Sequence, residues 1–72
     1  MNLLCIDIGN TSTSFSTVEN NAIGDIHRII NDDESIELST FGKKLKVFIR
    51  KQPQSPVSKV EIADRDPSLL SF

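Results

Sequence analysis

The chain has 72 residues, of which 38% are hydrophobic and 25% charged, with one cysteine, one histidine and a net charge of -2. A chain this short buries only about 60% of the surface its unfolded form exposes, and it lacks both a second thiol for an internal disulfide and a Cys/His set for structural zinc. The acidic balance argues against a nucleic-acid partner, which needs a basic stripe, and the opening apolar run Leu3-Leu4-Cys5-Ile6 stops at Asp7, too early for a secretory signal or a membrane span. A cytoplasmic location is the default expectation, and a single unpaired thiol fits it.

Residues 3–8 read as a short buried strand in which Asp7 is the only charge. Gly9-Asn10-Thr11-Ser12 is turn chemistry, because Gly and Asn tolerate positive φ and hydroxyls bond nearby backbone. Residues 13–18 alternate and contain Thr, Phe and Val, which favour a second strand. Glu19-Asn20-Asn21 forms the next turn, and residues 22–30 read as a third strand, weakened by Gly24 and Asp25. Together these predict an antiparallel three-strand meander.

From Asn31-Asp32-Asp33 the pattern changes to one that suits helix capping, with Glu34 near the positive end of the dipole. Large apolar residues at Leu38, Phe41, Leu45, Phe48 and Ile49 fall at spacings of three and four, the stripe of an amphipathic helix. Lys43, Lys44, Lys46, Arg50 and Lys51 read as its solvated face, and Phe41 and Phe48 as core. Gly42 weakens this helix, and Pro53 and Pro56 end it. Residues 59–63 read as a fourth strand. Asp66-Pro67 is a helix-start signature, with residues 68–72 as a first turn too short to stand alone. The expectation is a truncated chain. Cys5 reads as a small buried hydrophobe, and His27 as solvent-facing on an edge strand.

The chemistry concentrates where the first strand ends. Gly9 lets the backbone approach a phosphate without a Cβ in the way. Backbone N–H groups of a tight turn form an anion-binding concavity, and Thr11, Ser12 and Thr13 add hydroxyl donors. Asp7 would repel a phosphate unless a cation intervened, so its natural partner is hydrated Mg²⁺. Phosphoryl transfer needs this kind of positioning and charge neutralisation more than covalent chemistry. The bland reading of the same residues is a polar hairpin turn.

Asp7-Ile8-Gly9-Asn10-Thr11, closing the first strand and leading directly into a second, resembles the first phosphate motif of the actin, sugar-kinase and heat-shock-chaperone superfamily. With Asn10 at its variable place and the whole run starting almost at Met1, it is similar to type III pantothenate kinases. Phe15 matches a bulky position of their second strand, and Val60-Glu61-Ile62-Ala63 and Pro67-Ser68-Leu69-Leu70 match more loosely downstream. The resemblance implies an α/β fold: a partial actin-like (ribonuclease H-like) domain with a three-strand antiparallel meander, a crossover helix and a fourth strand parallel to the first. Residues 1–72 would be its N-terminal part.

The activity it implies is ATP-dependent phosphorylation of pantothenate, the first step of coenzyme A synthesis. Asp7, Ile8, Gly9, Asn10, Thr11, Ser12, Thr13 and Ser14 would lie on ATP, and Asp7 on Mg²⁺. Ser14 stands where a lysine is sometimes found. The family works as a homodimer and some members need a monovalent cation, K⁺ or NH₄⁺. Its catalytic base lies downstream, since Asp64-Arg65 lacks the Gly-x of the Gly-x-Asp-Arg-like motif, so the chain alone is expected to be inactive. The alternatives are another actin-fold sugar or acid kinase or ATPase, and a non-enzymatic α/β module that binds a partner through an open sheet edge.

Overall fold

The computed structural model describes residues 2–32, 34–39, 45–63 and 68–71, with side chains at all of these but the last four. They form eight strands: β1 (Leu3–Ile8), β2 (Ser12–Glu19), β3 (Ala22–Ile23), β4 (His27–Ile30), β5 (Ser35–Ser39), β6 (Lys46–Lys51), β7 (Lys59–Ala63) and β8 (Ser68–Ser71). A five-stranded mixed sheet runs in the order β3-β2-β1-β6, with β4 also paired to β2, and a three-stranded mixed sheet runs β5-β7-β8.

The meander forms as expected. Ile8 pairs with Thr13 and Leu3 with Val18 across an antiparallel β1–β2 hairpin. Asn20 and Asn21 have φ of 52° and 63°, the paired positive values that a two-residue hairpin turn requires for its twist to match the strands. The third strand is broken in two. Val18 faces Ile23 whereas Phe15 faces His27, so one extra residue lies on the β3–β4 side. Gly24 takes part in this bulge. Its N–H donates to the Thr17 carbonyl at 2.8 Å, and the slip reverses which side chains face inward.

The helix expected after Asn31 is absent among the described residues. Residues 35–39 and 46–51 are strands, and so are residues 68–71, where a helix start is expected. The stripe of threes and fours omits Ile36 and Val47. Once these are included, Ile36/Leu38 and Val47/Ile49 each step by two, the period of a half-buried strand. Burial alternates accordingly along Ser35–Ser39. Without a helix to cap, Glu34 instead accepts bonds through its carbonyl from the Ser58 and Lys59 N–H groups at 2.7 and 3.1 Å. Phe41, Gly42, Lys43, Lys44, Asp33, Asp64, Arg65, Asp66 and Pro67 lie outside the described residues.

The strand parallel to β1 is therefore β6, with Leu3 beside Lys46 and Ile8 beside Lys51. Residues 59–63 lie instead in the second sheet, parallel to β5 with Ile36 beside Val60. Parallel neighbours need a crossover. Here each sheet supplies the other's, because β5 lies between β1 and β6 in sequence and β6 lies between β5 and β7. Pro53 helps end β6 by occupying the second position of a turn closed by Ser55 N–H to the Gln52 carbonyl at 3.2 Å.

One core joins the two sheets. Leu4, Ile6 and Ile8 from β1 pack with Ile36, Leu38, Val60 and Ile62 from the smaller sheet and with Leu45 and Val57. Phe15, Ile29, Val47 and Ile49 close its margin. The opposite face of the larger sheet carries Leu3, Cys5, Asp7, Ser14, Ser16, Lys46, Phe48 and Arg50 by alternation. Phe48, expected in the core, is 65% exposed there, and Cys5 is only half-buried. Among the described residues no helix is long and apolar enough to cross a membrane.

Candidate functional site

Strand polarity places the first turn. Strands β1, β4 and β6 all run in one direction, because β1 and β6 are parallel and both β1 and β4 are antiparallel to β2. Their carboxyl ends meet at the Gly9-Asn10-Thr11 turn, the end of a parallel pair where ligands of open α/β sheets bind.

Asp7 lies on the outer face, with its side chain 52% exposed, and meets Arg50 from the adjacent strand. Arg50 Nε and Nη2 each donate at 3.3 Å, one to each carboxylate oxygen. Residues 7 and 50 are paired in register, so the fork-to-carboxylate match follows from the ladder itself. Among the described residues there is no cluster of three potential metal ligands. Mg²⁺ does not need one when phosphates and waters complete its shell. Asp7, accessible although paired with Arg50, is the carboxylate beside the turn that could serve such a shell.

The turn itself is clasped from a third strand. Gly9 N–H donates to the Ser12 carbonyl at 2.8 Å. A Cβ on Gly9 would meet that same carbonyl oxygen at 2.8 Å, so only glycine fits. Asn31, just past β4, donates its backbone N–H to the Thr11 carbonyl and its side-chain Nδ2 to the Gly9 carbonyl, both at 2.8 Å. Its Oδ1 accepts from the Thr13 hydroxyl at 2.8 Å. Thr13 is the buried polar residue among those described, and this bond satisfies its hydroxyl in the core.

The eight residues singled out from sequence thus divide. Asp7 and Ser14 are paired neighbours on the outer face, and Asn10 and Thr11 are exposed at the turn. Gly9 and Ser12 are half-buried. Ile8 and Thr13 point inward and are fully buried, so only their backbones border the site. Beside Asp7 a groove of about 410 Å³ crosses the outer face, lined by Cys5, Ser14, Ser16, Ile26, Phe48 and Arg50 among others. His27 is exposed, as expected, and also stacks on Phe15 with ring centroids 5.2 Å apart.

Two residues of the site escape a motif-based reading. Arg50 is hidden by the helical reading of its segment. The period-two run Lys46-Val47-Phe48-Ile49-Arg50 is the signal that places it beside Asp7. Asn31 reads as part of a helix cap, and only the β2–β4 pairing carries it to the turn. No protein-family model, curated protein or solved structure matches the chain.

Proposed function

We propose that this chain supplies the first phosphate-binding turn of an ATP-dependent small-molecule kinase of the actin-like superfamily, with pantothenate as the substrate that the type III pantothenate kinase resemblance implies. One observation carries the reading. The Asp7 carboxylate and the Asn10-Thr11 tip of the bend are both exposed at the shared carboxyl end of β1 and β6. Asp7 does not point into the apolar interior, and Asn10 and Thr11 stay exposed although Asn31 holds the Gly9 and Thr11 carbonyls from one side. A meander whose first strand has a parallel neighbour is in keeping with this reading in outline only: that neighbour is β6, from the segment expected to be the crossover helix, and residues 59–63, the expected fourth strand, pair in the other sheet.

Bound Mg²⁺ would neutralise phosphate charge, and Asp7 is the residue to hold it through water. The Arg50 guanidinium, already forked toward Asp7, suits phosphate oxygens equally well. Ser14 and Ser16 add hydroxyls along the groove, whose size is that of a small-molecule site. Isothermal titration of Mg·ATP into the chain tests the reading, with Asp7→Ala as control. Saturable heat that the substitution removes supports it. Heat that is absent, or unchanged by the substitution, sinks it for this chain.

A second reading rests on a different observation. Phe48 on β6 and Ile26 just before β4 line the same groove and are 65% and 70% exposed, and the outer edge of β6 has no partner strand among the described residues. Such a face and edge suit a non-enzymatic module that binds a protein partner. A chain that unfolds cooperatively as a monomer and ignores Mg·ATP would favour this module.

A further inference from the structure

Asn31 bonds to the turn at two carbonyls, and a carbonyl fixes the N–H of the same peptide. In a trans peptide the C=O and the following N–H point in opposite directions. The Gly9 carbonyl is drawn to Asn31 Nδ2, so the Asn10 N–H points away from Asn31. Asn31 reaches the turn from the side of buried Thr13. The Asn10 N–H is therefore directed to the opposite side, the face that carries Asp7 and Arg50. The Thr11 carbonyl is likewise held by the Asn31 N–H, which turns the Ser12 N–H toward the mouth of the hairpin. Its usual acceptor in a two-residue turn would be the Gly9 carbonyl, the atom Asn31 already holds.

We propose that Asn31 is a positioning residue: it gathers the acceptors of the turn on the core side and leaves the Asn10 and Ser12 amides as a donor pair for one oxyanion of a phosphate chain. The proposal rests on the phosphate reading above and names the device that makes the bend bind anions. Thr13 completes it. The Thr13 hydroxyl donates to Oδ1, and the Gly9 carbonyl can only accept, so the amide of Asn31 has one allowed orientation. A hairpin without such a clasp turns its Gly9 carbonyl toward its own Ser12 N–H and offers an anion fewer donors. Peptide N–H groups that converge in this way form the concavities that hold phosphates elsewhere.

The test is a ¹⁵N–¹H chemical-shift titration of the chain with inorganic tripolyphosphate. In the parent, the Asn10 and Ser12 amides should show saturable shifts. Asn31→Leu keeps the bulk but removes the donor and adds no charge. It should weaken tripolyphosphate by about tenfold and abolish those two shifts, on the usual worth of a hydrogen bond or two. The amide signals of Leu4, Ile6 and Thr17 should stay in place, which reports that the strands are intact. Thr13→Val, which removes only the bond that orients the amide, should weaken binding by about threefold and serves as the test if Asn31→Leu does not fold. Unchanged affinity in a folded variant overturns the role of Asn31 and leaves the phosphate site standing. A parent chain with no saturable shift overturns the phosphate reading itself, and this inference with it.

Discussion

The two turns that flank β2 solve the same problem in different ways. The turn at Asn20 and Asn21 is local: both residues adopt positive φ, and the Glu19–Ala22 pair closes it. The turn at the other end has a glycine that admits no Cβ, and its carbonyls are held by a residue from beyond β4. Reversing a chain needs only the first solution. A bend held by a distant strand presents a fixed set of backbone groups to solvent, which is what a binding surface needs. The pair of turns therefore separates chain reversal from site construction at the two ends of one strand.

The largest effect should come from Gly9→Ala. The new Cβ would press on the Ser12 carbonyl oxygen, a backbone atom that cannot swing aside. Destabilisation of about 1–3 kcal/mol is expected, by analogy with overpacked sites, and should appear as a lower midpoint in urea. Midpoints equal to the parent would mean that the turn is as adaptable as its counterpart. Asn31→Ala comes next. It leaves the buried Thr13 hydroxyl and the Gly9 carbonyl without their partner, worth about 1–3 kcal/mol in the same measurement. A loss confined to a few tenths would show that the clasp does not hold the hairpin in place.

The same contrast explains what the sequence makes legible. The hairpin of β1 and β2 and the turns at both ends of β2 are written in local chemistry: an apolar run, Gly-Asn-Thr, an alternating run, then Asn-Asn. Residues 35–39 and 46–51 were ambiguous because Leu38, Leu45, Phe48 and Ile49 satisfy a helical spacing while Ile36, Leu38, Val47 and Ile49 satisfy a strand one. Pairing with β7 and β1 decides between them, and that is tertiary context, absent from any window of the chain. Arg50 and Asn31 are illegible for the same reason. Each reaches the site through a long-range strand pairing and carries no motif of its own.

Asp7→Asn should separate binding from stability. The Asp7–Arg50 pair is solvent-exposed with 3.3 Å contacts, so losing its charge should move stability by no more than about 0.5 kcal/mol. The same change removes the carboxylate proposed for Mg²⁺, so Mg·ATP heat should fall sharply in titration while the urea midpoint barely moves. Parallel losses in both would mark Asp7 as a structural residue and Arg50 as its partner in folding alone.

The smallest effect should belong to Asn21→Gly, and its sign is informative. Asn21 sits at φ 63°, a left-handed value that glycine adopts freely. Asn-Gly is also the sequence most favoured in a hairpin turn with two positive φ values. Against that gain stands the larger conformational freedom of glycine in the unfolded chain. The two terms nearly cancel, and a change within about 0.5 kcal/mol is expected. Because no described strand beyond β2 and β3 is tied to this turn, tripolyphosphate binding should be untouched. A loss of anion affinity from Asn21→Gly would show that the two ends of β2 are coupled, and the division between a reversing turn and a binding turn would fail.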